Sequence, residues 1–114
     1  MIYHITKKSE WELAQQAGVY LTDSFKTEGF IHCSTAAQVL RVAGLLYPDE
    51  KNLVLLAIIE AELESELLYE NTEGGDELFP HLHGPLSLSA VTAAVAFPPL
   101  ADGSYEWPSG LERI

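Results

Sequence analysis

The chain opens on an alternation. Across Met1–Thr6, Tyr3 and Ile5 fall on one side and His4 and Thr6 on the other, which is the two-residue period of a strand. Ser9-Glu10-Trp11-Glu12 then reads as a capping box, with Ser9 as N-cap and Glu12 reaching back to an orphan amide. Trp11, Leu13, Ala14 and Ala17 recur at helical spacing behind it, and Gly18 is a natural stop. Val19–Leu21 reads as a short extended piece, Glu28-Gly29 as a turn and Phe30–Cys33 as a short strand. Thr35-Ala36-Ala37-Gln38 offers a second capping box, with Ser34 as the alternative cap. Val39, Leu40, Val42, Ala43 and Leu46 follow as a helical stripe that Pro48 ends.

After Pro48 the helical period disappears. Leu53–Ile59 is an unbroken apolar run, predicted as a buried central strand, and Leu67–Glu70 as another. Asn71–Glu77, with Gly74-Gly75, reads as a loop. Leu78–Leu86 contains Pro80, Gly84 and Pro85 and is predicted to be a rigid, irregular connection. Ala90–Phe97 is predicted as a strand closed by Pro98-Pro99. The tail from Ala101, with Tyr105 and Trp107, either folds back on the body or stays mobile. The order predicts a single α+β domain over residues 1–114, with two early helices packed on a mainly antiparallel or mixed sheet. Repeated parallel crossovers are not supported, because no helix pattern follows Pro48.

Composition narrows the partners. With 114 residues and 47% apolar content, the chain can bury one core. Its formal net charge of −11 argues against nucleic acid and against anionic membranes, which both call for Lys and Arg. Eight acidic residues lie between Glu60 and Glu77 with no Lys or Arg among them, and they read as a solvated face. The first 33 residues are nearly balanced, so an anionic ligand is least repelled there. The single cysteine, Cys33, excludes an internal disulfide and fits a reducing cytoplasm. No basic region followed by an apolar run opens the chain, so no signal peptide is expected. Leu53–Ile59 is far too short to span a membrane. The sequence sets no oligomeric state.

Two segments share a layout: Tyr3-His4-Ile5-Thr6 and Phe30-Ile31-His32-Cys33-Ser34. Each presents a histidine and then a hydroxyl residue on a β-prone run just ahead of a helix start, as two walls of one cleft would. A helix start after His32 favours an anion, and Ser34 and Thr35 add hydroxyl donors for a phosphate, carboxylate or ribose. The plainer alternative has Ser34 capping the helix and His32 half-buried in the strand. His4 and Thr6 have a similar alternative, bonded to a neighbouring carbonyl. His81 and His83 would point one way in a strand, as metal ligands with Cys33 and His4 or as one lip of the cleft. No Cys-x-x-Cys or His-Glu-x-x-His accompanies them, and no metal is expected. Cys33 should face away from His32 as a buried thiol. Glu28 is either an acid or base beside the cleft or a solvated turn residue. Gly-rich phosphate loops and the G-x-S-x-G elbow are absent from the sequence.

Tyr3-His4-Ile5-Thr6, Trp11, Gly18-Val19-Tyr20, Glu28-Gly29-Phe30-Ile31-His32-Cys33-Ser34 and Phe79-Pro80-His81-Leu82-His83-Gly84-Pro85-Leu86 closely resemble the small bacterial family known as domain of unknown function 952. The resemblance implies an ADP-ribosyltransferase-like fold with a split sheet, on the side of the RNA 2′-phosphotransferases. It further implies NAD or a related nucleotide as cofactor or substrate, and loss of nicotinamide on transfer of ADP-ribose. His4 and Thr6 would match the first motif of those enzymes and His32 and Ser34 the second. His4 would bond a ribose hydroxyl, the backbone at Ile5 would hold the nicotinamide amide, and His32 would line the nicotinamide-ribose side. The chain departs from the pattern in having Ile5 where a glycine is usual. It also lacks a match for the catalytic glutamate of the classical transferases and the basic residues that grip an RNA phosphate. Two alternatives stand beside the transferase: a non-catalytic ligand-binding or interaction module on the same fold, and a metal-dependent hydrolase built on His81 and His83.

Overall fold

The computed structural model describes residues 1–72 and 74–112, apart from the side chain of Ser24; Glu73, Arg113 and Ile114 lie outside it. Strand β1 (Ile2–Lys7) runs antiparallel to β4 (Leu53–Ile58), with His4 opposite Leu56 and Ile5 opposite Leu55. β4 pairs on its other side with β8 (Val91–Ala96), where a bulge at Ala57/Ile58 shifts the register. The unbroken apolar run of β4 is explained by this position, since both of its faces are buried. Val54, Leu56 and Ile58 pack with Ala14, Tyr20, Ile31, Cys33, Leu82 and Leu86. Leu53, Leu55 and Ala57 pack on the opposite side with Tyr3, Ile5, Val39, Ala43, Phe97 and Tyr105. Full burial of one such leucine is worth about 1.5–3 kcal/mol.

Three helices cover the sheets: α1 (Lys8–Ala17), α2 (Asp23–Glu28) and α3 (Val39–Leu46). Among the described residues no helix is long and apolar enough to cross a membrane. α1 begins at Lys8 rather than after Ser9, and its N-cap, Lys7, makes no side-chain cap. The reason is tertiary: the Lys8 amide donates to the Asn52 carbonyl at 2.8 Å, so a neighbouring strand end does the work of the expected capping box. Of the expected apolar side only Ala14 is buried; Trp11 is half-buried and Leu13 and Ala17 are exposed. α2 runs up to the expected Glu28-Gly29 turn, over residues for which the sequence pattern predicted no element. It is too short to show a period, yet Thr22 caps it by accepting from the Phe25 amide at 3.2 Å, and Gly29 ends it at φ 85°.

The second correction concerns residues 78–86. Phe79–His83 is not an irregular connection but β6, the middle strand of an antiparallel sheet ordered β3 (Ile31–His32), β6, β5 (Glu66–Glu70). Pro80 is tolerated there because β3 ends beside it. Its carbonyl accepts from the Cys33 amide at 3.0 Å, and its missing N–H costs one ladder bond at the point where pairing stops. A two-residue pair, β2 (Val19–Tyr20) with β7 (Leu86–Ser87), closes the same side. A Cβ on Gly84 would collide with the Ser65 side chain, so that turn requires glycine.

One bridge joins the two three-stranded sheets. Tyr3 and Ser34 exchange both backbone hydrogen bonds at 2.8 Å, and beyond them β1 and β3 diverge. β5 and β8 are the outer edges of the combined layer. The C-terminal tail folds back. Tyr105 is buried with its hydroxyl 2.6 Å from the Tyr47 carbonyl, and Trp107 meets Tyr3 edge to face at 5.2 Å.

Candidate functional site

The fork between β1 and β3 is held open by His4. Its Nδ1 lies 2.6 Å from the carbonyl oxygen of His32 and its Nε2 lies 2.9 Å from the Tyr20 hydroxyl, which is itself 2.7 Å from Thr6 Oγ1. A carbonyl only accepts, so Nδ1 carries the proton. Burial pushes the His4 pKa down to about 4, and the ring is neutral. Nε2 is therefore an acceptor, and the single Tyr20 proton goes to it. Thr6 then donates to the Tyr20 oxygen. Burial raises the Tyr20 pKa, which keeps that proton in place.

Beside the fork lies an open cleft of about 350 Å³. His32 comes to it from β3, Ser34 from the bridge just after β3, His81 from β6, Ile5 from β1, Val42 and Leu45 from α3, and Asn71 and Asp76 from the loop after β5. That loop is tied down by Gln38, whose Nε2 donates to Glu77 Oε2 at 3.1 Å and to the Leu78 carbonyl at 2.8 Å. Arg41 also pairs with Glu77.

One face of the second sheet carries an imidazole cluster. His32 and His81 are directly opposite in register, with ring centroids 5.4 Å apart. Phe30 stacks on His81 at 4.1 Å and 16°. His32 Nε2 donates to Glu28 Oε2 at 2.9 Å. Glu70 Oε1 receives His81 Nδ1 at 3.1 Å and His83 Nε2 at 2.7 Å. The hydrogen bond from His83, with that from His81, holds the Glu70 carboxyl below the usual range. His32 Nδ1, His81 Nε2 and Ser34 Oγ have no partner among the described residues, and all three side chains line the cleft. Cys33 points the other way, into the core, where burial pushes its thiol up to about 12.

The structure thus gathers His4, Ile5, His32, Ser34 and His81 at one place and leaves others out. His4 borders the cleft, but both of its ring nitrogens are engaged internally. Thr6 belongs to the same internal network. Thr35 does not line the cleft, and its amide is held by Gln38 Oε1 at 3.0 Å, the reach-back expected of a capping box. The Ser34 amide goes to Tyr3, and α3 starts only at Val39, so the expected anion seat of open amides after His32 is not formed. The pair His81 and His83 turns to Glu70. Among the described residues no group of three His, Cys, Asp or Glu is placed to hold a metal ion. The sequence reading missed Glu70, Asn71 and Asp76, which it placed in a solvated acidic stretch, and the wall supplied by α3. The Phe79-Pro80-His81 string, read as a strand, would have pointed to part of it.

Residues 5–94 match the family described as protein of unknown function, DUF952. The chain belongs to that family. A crystal structure of the protein CC0527 from Caulobacter crescentus is similar over 92% of both chains, at 35% identity and a TM-score of 0.83. The solution structure of CC0527 is similar at 35% identity and a TM-score of 0.81, covering 92% of this chain and 90% of that one. No functionally curated protein matches. This DUF952 member therefore shares with CC0527 a small α+β fold of three helices and antiparallel sheets.

Proposed function

We propose that the cleft binds the nicotinamide-ribose half of NAD or of a related nucleotide, as an ADP-ribosyltransferase-like site. The observation that carries this reading is the convergence of three unpartnered polar atoms, His32 Nδ1, Ser34 Oγ and His81 Nε2, beside an apolar wall of Ile5, Val42 and Leu45. A few placed polar groups on an apolar cleft of a few hundred Å³ suit a flat ring joined to a sugar. The surroundings are acidic: Glu28 and Glu70 contact the cleft histidines, and Asp76 lines the cleft. Negative charge there favours a pyridinium ring and the ribose oxocarbenium that forms as nicotinamide leaves. The split sheet, forking beside His32, is in keeping with the same fold relationship.

His4 takes a different part from the one its motif implies. It positions the His32 strand through the carbonyl bond, while His32 and Ser34 meet the ligand. Calorimetric titration of NAD tests the reading. Wild type should bind saturably, and His32→Ala and Ser34→Ala should each weaken binding roughly tenfold, the loss of one hydrogen bond to ligand. No binding at millimolar NAD overturns it. Ile5 at the glycine position of the motif favours a second reading, a binding module without turnover. Saturable binding with no release of nicotinamide would identify that module.

A further inference from the structure

Glu70, His81 and Phe30 form an arrangement that ligand recognition alone leaves unused. The ionised Glu70 carboxyl can only accept, so His81 donates to it from Nδ1. Burial lowers the His81 pKa, with His32 and His83 acting in the same direction and Glu70 opposing. In that neutral ring the lone pair sits on Nε2, the atom with no partner among the described residues, on a ring that lines the cleft. Stacking on Phe30 fixes the ring plane. An imidazole with one nitrogen tied to a carboxylate and the other open to a cleft is a general base in geometry as well as in tautomer.

We propose that His81 is the general base of this cleft, held in orientation by Glu70 as a positioning residue, and that it takes a proton from water. The inference rests on the nucleotide reading above. A water lone pair forms the new C–O bond at the ribose C1′ as the glycosidic C–N bond breaks. The bonding pair leaves with nicotinamide, which departs neutral. The water proton passes to His81 Nε2, and the resulting imidazolium, stabilised by Glu70, returns it to solvent. NAD and water thus give ADP-ribose, nicotinamide and one proton.

Three measurements on the full chain test the proposal. Nitrogen-15 NMR of the wild-type imidazoles should find His81 protonated at Nδ1 and not at Nε2. His81→Gln should lower nicotinamide release at saturating NAD roughly 100-fold, within the usual range for a general base. Glu70→Ala should move the acid limb of the pH–rate profile to lower pH, because it removes the group that raises the His81 pKa; a merely structural role would leave the limb in place. An Nε2–H tautomer in wild type, or unchanged release in His81→Gln, overturns the proposal. Failure of wild type to bind NAD sinks the nucleotide reading instead. The tautomer then judges the base alone, Nδ1–H supporting it toward another hydroxyl-bearing ligand and Nε2–H overturning it.

Discussion

His4 Nδ1 stands 2.6 Å from the carbonyl oxygen of His32, twenty-eight residues away, across the gap where two strands part. A side chain replaces the ladder bond that the backbone no longer makes. Regular sheet geometry would put an amide there; this fold puts an imidazole whose other nitrogen reaches β2.

That placement makes stability depend on pH in a definite direction. The His4 pKa is about 4 in the folded chain against 6.5 for a free histidine, so between those values the unfolded chain binds a proton that the native chain does not. Stability from His4 is full above pH 6.5 and is lost as pH falls toward 4, by on the order of 3 kcal/mol. Urea titrations of wild type and His4→Gln across this range should show the slope shrinking in the variant. Equal slopes would show that His4 is not buried neutral.

Tyr20→Phe deletes the donor to His4 Nε2 and leaves that nitrogen unmet in the core. The expected loss is about 1–3 kcal/mol, measured by chemical denaturation. Because the partner is buried, the effect should exceed that of Tyr69→Phe at the exposed surface.

Gln38→Ala releases the loop after β5 from its ties to Glu77 and Leu78. Hydrogen exchange at the amides of residues 74–78 should quicken while β4 stays protected. Global stability should fall by only about 1 kcal/mol, since the bonds lie partly in solvent.

Cys33 should behave as a reporter of opening. Its thiol is 3% exposed and its pKa is pushed up to about 12 by burial, so little thiolate exists at neutral pH. A thiol reagent should label it at the rate of unfolding. Rapid stoichiometric labelling of the native protein would contradict that burial.

Much of the fold was legible from local pattern. Leu53–Ile59 announced a buried central strand, formed over Leu53–Ile58, and of the stripe Val39, Leu40, Val42, Ala43 and Leu46 it is Val39 and Ala43 that α3 buries, with Leu46 left exposed. β6 was not legible, because Pro80 and Gly84-Pro85 punctuate it and only the end of β3 makes that proline harmless. The first segment drew attention to His4 but not to its engagement, since Tyr20 and the His32 carbonyl reach it only through the tertiary fold. The same holds for Glu70, whose meaning comes from two histidines on the adjacent strand rather than from its acidic neighbours in sequence.

The outer edge strand β5 begins and ends with Glu66 and Glu70, and Glu60, Glu62 and Glu64 precede it. The opposite edge, β8, has no such guard: Thr92, Ala94 and Ala96 face solvent along a smooth, uncharged rim. A net charge of −11 repels one molecule from another and so opposes pairing of two such rims. As pH approaches the isoelectric point near 4.5, the charge that keeps molecules apart vanishes just as His4 weakens the fold. Colloidal and conformational failure should therefore arrive together, as strand-to-strand association of partly loosened chains.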